Sequence, residues 1–96
     1  MKPVLEFYQE TYKRLRKNKK AVNRAAMRKY LIKAGYYEFN MNNFKSYKIK
    51  YESIVKYQQW LTEHYPNDYY YCYSYGYDSF FFTDTKIATL MKLSVE

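Results

Sequence analysis

Between Lys13 and Lys33 the chain carries ten Lys and Arg residues and no acid. A packed interior does not tolerate that density of unpaired charge, so this stretch has to lie at a surface. It is not uniformly polar. Val4, Tyr8, Thr11, Tyr12 and Leu15 recur at helical spacing. Carried on at about 100° per residue, the same stripe takes in Val22, Ala26 and Tyr30. Lys13, Lys17, Lys20, Arg24 and Arg28 fall on the opposite side. The pattern predicts helix with one face on a core and the other a basic ridge, which would run about 30 Å if unbroken. Lys19 falls in the apolar stripe and Leu31 in the basic one, which predicts a kinked helix, or two helices meeting near Asn18. Pro3 suits the helix start and Gly35 its stop.

The remainder patterns differently. Tyr36 to Met41 fits a short strand or an aromatic loop. Asn42 or Asn43 offers an N-cap for Phe44, Tyr47, Tyr51, Ile54, Gln58, Leu61 and Tyr65, an amphipathic series that Pro66-Asn67-Asp68 ends. Tyr69–Tyr75 and Ser79–Thr83 read as strands, with Gly76-Tyr77-Asp78 as a hairpin turn. Thr83 or Asp84 caps a last helix with Ile87, Ala88, Leu90, Met91 and Val95 on its apolar side. A closing strand through Ile87, Thr89, Met91 and Leu93 is the weaker alternative. The expected architecture is one α+β domain over residues 1–96: two N-terminal basic helices (or one kinked helix), a central amphipathic helix, a small antiparallel hairpin or sheet, and a short C-terminal helix.

The net charge is +8, and its distribution bears on function. Residues 1–33 hold eleven Lys and Arg against two acids, residues 34–96 six against seven, so the whole excess sits in the first third. With no compensating acid, the segment repels itself at a cost in stability, and it points to a polyanion or an acidic protein surface. Lys13, Arg14, Arg16, Lys17, Lys19, Lys20, Arg24 and Arg28 are the candidate nucleic-acid contacts. The bland alternative is a solvated face that aids solubility.

The fifteen tyrosines are the second abnormality. Strand alternation puts Tyr69, Tyr71, Tyr73 and Tyr75 on one face, with Tyr70, Cys72 and Ser74 on the other. On an open face these four are candidate base-stacking residues. Since the sheet must bury one face, and the alternate one is small and partly polar, packing on the helices is the stronger expectation for the tyrosines.

Other chemistry finds little footing. Cys72 is alone and His64 is the only histidine, so neither a metal site nor a disulfide within the chain is expected. A Cys72–His64 pair is weak support for nucleophilic catalysis, and no Gly-rich phosphate loop exists; no enzyme activity or cofactor is expected. Asn18–Gly35 fits a helix-turn-helix reader poorly, for want of its turn glycine. No secretory leader, membrane span or lipidation signal is visible, and a lone cysteine suits a reducing cytoplasm.

The short length, the richness in Tyr, Asn and Lys, and the closing run SFFFTDTKIATLMKLSVE resemble small accessory proteins of tailed bacteriophages, T4-like ones in particular. The resemblance covers mainly the last third and transfers no functional residue. It implies a host-takeover or anti-defence role in the host cytoplasm. Two functions are therefore expected to compete: nucleic-acid binding, RNA favoured over DNA, and direct inhibition of a host defence or nucleic-acid-processing enzyme. An RNA could also bridge the chain to a host protein. A homodimer is a further expectation, because the central helix carries more apolar surface than a small sheet covers.

Overall fold

The computed structural model describes residues 1–20, 23–42, 46–74 and 77–95. Four helices and three strands follow in the order α1 (Val4–Lys17), α2 (Arg24–Lys33), β1 (Tyr37–Asn40), α3 (Tyr47–His64), β2 (Tyr69–Ser74), β3 (Tyr77–Phe82) and α4 (Thr85–Val95). The class is α+β as the patterning indicates. The ambiguous Tyr36–Met41 stretch contains a strand, and the closing segment is helix rather than strand.

The sheet is antiparallel in the order β1-β3-β2, so β3 is central. Phe82 pairs with Tyr37 on one side and Tyr69 on the other, and Phe80 with Phe39 and Tyr71. Successive β3 side chains point to opposite faces, and Ser79, Phe80, Phe81 and Phe82 are all fully buried. Both faces of the sheet are therefore covered, which corrects the expectation of a single buried face. Phe80 and Phe82 join Ile54, Tyr57 and Leu61 of α3 and Ile87, Ala88 and Met91 of α4. Phe81 and Cys72 join Val4 and Leu15 of α1 and Met27 and Leu31 of α2. A strand buried on both sides reads as an unbroken apolar run, which explains three consecutive phenylalanines.

The pairing Ser74↔Tyr77 brings Tyr77 and Asp78 into β3, earlier than the expected hairpin turn. Asp78 is accommodated there because Lys50 of α3 pairs with its carboxylate at 2.6 Å and the Tyr71 hydroxyl donates to it at 3.0 Å. At the start of α3 the cap is Ser46, whose Oγ accepts from Ile49 N, rather than Asn42 or Asn43. Phe44 and the Asn43 cap position lie outside the described residues.

The break between the basic helices falls at Asn18, the C-cap of α1. Lys19 N donates to Arg16 O and Lys20 N to Leu15 O, with Lys19 at φ +56°. This is a Schellman ending with lysine in the left-handed position usually given to glycine. The helix restarts behind Asn23, whose side chain accepts from Ala26 N. Helical phase is lost across the break, so the extrapolated stripe does not hold in α2. Met27 and Leu31 face the core, while Ala26 and Tyr30 are only half-buried and Val22 lies outside the described residues.

Candidate nucleic-acid interface

Rephasing α2 divides the basic residues into two groups. Lys13, Arg14, Arg16 and Lys17 on α1, with Lys19 and Lys20 in the turn, are exposed. Among the described residues none of the six forms an ion pair. Two of the arginines lie near tyrosine rings: Arg14 is 6.0 Å from the Tyr30 centroid and Arg16 5.8 Å from that of Tyr12.

Arg24 and Arg28 instead flank the buried Met27 and Leu31, and each reaches a different outer strand. Arg28 holds Glu38 of β1 through Nε at 2.6 Å and Nη2 at 2.9 Å, and Ser79 Oγ donates to the same carboxylate at 2.8 Å. The Arg28 guanidinium holds the Glu38 carboxyl below the usual carboxylate range; burial opposes this, and the Ser79 bond adds to it. Arg28 is thus a structural clamp, and the continuous ridge expected from Lys13 to Arg28 stops short of it. Arg24 lies 3.8 Å from the centroid of Tyr73 on β2 and donates to its hydroxyl at 2.8 Å.

The tyrosine strand also divides. Tyr69 and Tyr71 are half-buried against Phe80, with ring centroids at 6.5 and 5.0 Å. Their hydroxyls are engaged by Thr62 and Asp78 respectively. Burial, and then the bond to Asp78, pushes the Tyr71 phenol above its ordinary range. Tyr73 is different: it stacks on Tyr71 at 5.6 Å yet remains 46% exposed. Tyr75 lies outside the described residues. Among the four expected stacking residues, then, Tyr73 is the described one with a ring substantially open to solvent.

Sequence reasoning assigned Tyr47 and Tyr51 to the core stripe of α3. They are 80% and 62% exposed. At its N-terminal end α3 stands off from the sheet, leaving a gap where these rings would otherwise pack. Ile54, Tyr57 and Leu61, from the middle of the helix onward, pack on the sheet, whereas in the first two turns Lys50 reaches Asp78 of β3 and the Tyr47 and Tyr51 rings stay outside the core. The excess apolar surface noted on this helix was the available signal. Between these turns and β2 lies a groove of about 400 Å³, lined by Tyr47, Tyr51, Val55 and Gln58 on one side and by Tyr71 and Tyr73 on the other. A second groove, of about 440 Å³, lies on the α1–α2 side among Tyr8, Tyr12, Tyr70 and Arg24. The Arg24–Tyr73 contact links the linings of the two.

Comparison with protein-family models, with curated proteins and with solved structures finds no match to this chain. The site therefore has to be judged on its own chemistry. Cys72 is fully buried beneath α2, its Sγ 3.6 Å from Arg24 O. His64 is exposed at the end of α3, stacked on Trp60 at 4.7 Å. The two belong to opposite sides of the sheet and cannot act together. Among the described residues no three His, Cys, Asp or Glu side chains are grouped to hold a metal ion. No described helix is long and apolar enough to cross a membrane.

Proposed function

We propose that this protein binds single-stranded nucleic acid, RNA in preference to duplex DNA, with phosphates held by α1 and the α1–α2 turn and unpaired bases stacked on tyrosine. The observation that best supports this is the Arg24 guanidinium lying on the half-exposed ring of Tyr73. It joins the acid-free basic segment to an aromatic groove at the sheet edge, and single-strand binders combine these same two elements. Lys13, Arg14, Arg16, Lys17, Lys19 and Lys20 would contact phosphates, which position a strand without reading its sequence. The preference is for RNA over duplex DNA, because RNA loops and ends display unpaired bases that a duplex keeps stacked inside. In keeping with the resemblance to phage accessory proteins, the binding would serve to counter or redirect a host system in the host cytoplasm.

The test is a salt titration of affinity for a short single-stranded oligoribonucleotide, read by fluorescence anisotropy. Replacing Lys13, Lys17, Lys19 and Lys20 together with Gln is expected to flatten the log K against log salt slope by about 3, at roughly 0.7 per phosphate. Arg28 is excluded from the set because its loss strips Glu38 of its partner. An unchanged slope in a folded variant sinks the proposal. The exposed Tyr47, Ile49 and Tyr51 favour a second reading, direct docking on a host enzyme with tyrosines as anchors. A host protein that stays bound after nuclease digestion of a pull-down supports that reading instead.

A further inference from the structure

Resting on the RNA-binding reading, we infer that the groove between α3 and β2 is a pocket for one unpaired base of the bound strand. Its volume of about 400 Å³ falls within the roughly 300–1,000 Å³ of small-ligand clefts. Its walls are aromatic on both sides, with Tyr47 and Tyr51 facing Tyr71 and Tyr73. A flat heteroaromatic ring is the ligand that such walls hold best.

The polar groups of the groove fit the same occupant. The Asp78 carboxylate is already neutralised by Lys50 and hydrogen-bonded by Tyr71, so it does not repel an anionic strand as a free acid would. The Gln58 side-chain amide, half-buried on the α3 side, makes no hydrogen bond among the described residues. Its amide offers donors and an acceptor together, the combination that a base edge requires. Arg24 lies over Tyr73, which lines the groove, and carries the positive charge onward towards α1. A base in the groove therefore has a cation near at hand for its phosphate, and the strand continues onto the basic turn.

The experiment uses a single-stranded oligoribonucleotide carrying 2-aminopurine, whose fluorescence falls when it stacks. The full-length protein is expected to quench it at least twofold on binding. The Tyr47→Ala/Tyr51→Ala variant should lose the quench and bind roughly tenfold or more weakly, since each stacked base contributes about 1–3 kcal/mol. Its salt slope should stay that of the parent, because no charge is removed. Both rings are exposed, so the variant folds. Persistence of the quench, or undiminished affinity, in the variant overturns the base pocket while leaving RNA binding intact. A parent protein that retains no RNA at low salt overturns the underlying reading as well. A single-stranded DNA of the same sequence, bound and quenched equally, keeps the pocket; a duplex DNA bound equally removes the preference for RNA.

Discussion

The last turn of α1 and all of α2 come from one acid-free segment, and both helices lie on the same face of the sheet, yet their arginines are used differently. α2 commits Arg28 to Glu38 and Arg24 to Tyr73, so its arginines help fasten the helix to the outer strands. α1 is fastened by Val4, Thr11 and Leu15, and its Lys13, Arg14, Arg16 and Lys17 stay at the surface. The helix ends make the same contrast. α2 closes with Gly35 N donating to Ile32 O and Tyr36 N to Leu31 O, the pattern that closes α1. Glycine stands at the left-handed position in α2 and Lys19 in α1, at φ +96° and +56°. In α2, Arg28 serves the fold, and Arg24 ties the helix to the aromatic groove. The basic residues at the end of α1 stay unpaired at the surface, and the turn holds Lys19 in a left-handed conformation that costs stability, as the proposed phosphate surface would explain.

The sharpest break of this comparison is Arg28→Ala. It should cost about 2–3 kcal/mol, because Glu38 is left half-buried with Ser79 alone on its carboxylate. The pH dependence identifies the cause. With its pKa depressed below 4.5, Glu38 contributes stability above that value and loses it as pH falls through the folded-state pKa. Urea denaturation from pH 7 downwards should show that acid-side decline in the parent and a shallower one in Arg28→Ala. Neutralising Lys13, on the other helix, should move stability by less than about 0.5 kcal/mol. A larger loss from Lys13 than from Arg28 breaks the contrast.

Gly35→Ala comes next. An added Cβ would meet the Met1 Cε at 3.2 Å, a flexible chain end that can move aside, so the cost is set mainly by φ +96°. About 1–2 kcal/mol of destabilisation is expected, measured as a lower urea midpoint at unchanged m-value. No loss would mean that the α2 ending does not need its glycine, and that Lys19 carries no comparable strain.

How far these features were legible in sequence depended on whether local pattern or tertiary placement decided them. The break at Asn18 was readable because Lys19 and Leu31 fell out of phase in an otherwise regular stripe. The last helix was readable from Asp84, whose side chain accepts from Lys86 N as a cap should. The inward turn of Arg28 was not, since a stripe extrapolated at constant angle cannot survive a change of phase at a left-handed residue. Nor was the exposure of Tyr47 and Tyr51, which have the same spacing as Ile54 and Leu61. What separates them is how closely α3 approaches the sheet, and that depends on β2 and β3, later in the chain. The tyrosine strand was half legible: alternation gave the faces, but the coverage of both faces follows from helices on either side.

The smallest expected effect is the most discriminating. Lys19→Gly places glycine at φ +56°, where a side chain costs roughly 1–2 kcal/mol, offset in part by the freer unfolded chain. The variant should be more stable by about 0.5–1 kcal/mol, seen as a higher urea midpoint. It also removes one exposed cation from the turn, so the salt slope of RNA binding should flatten by about 0.7. Stability and binding then move in opposite directions from one substitution. A solvated face kept for solubility gives the first change without the second. A variant that is both more stable and binds RNA as the parent does would therefore leave Lys19 with no part in binding, and would narrow the phosphate contacts to α1.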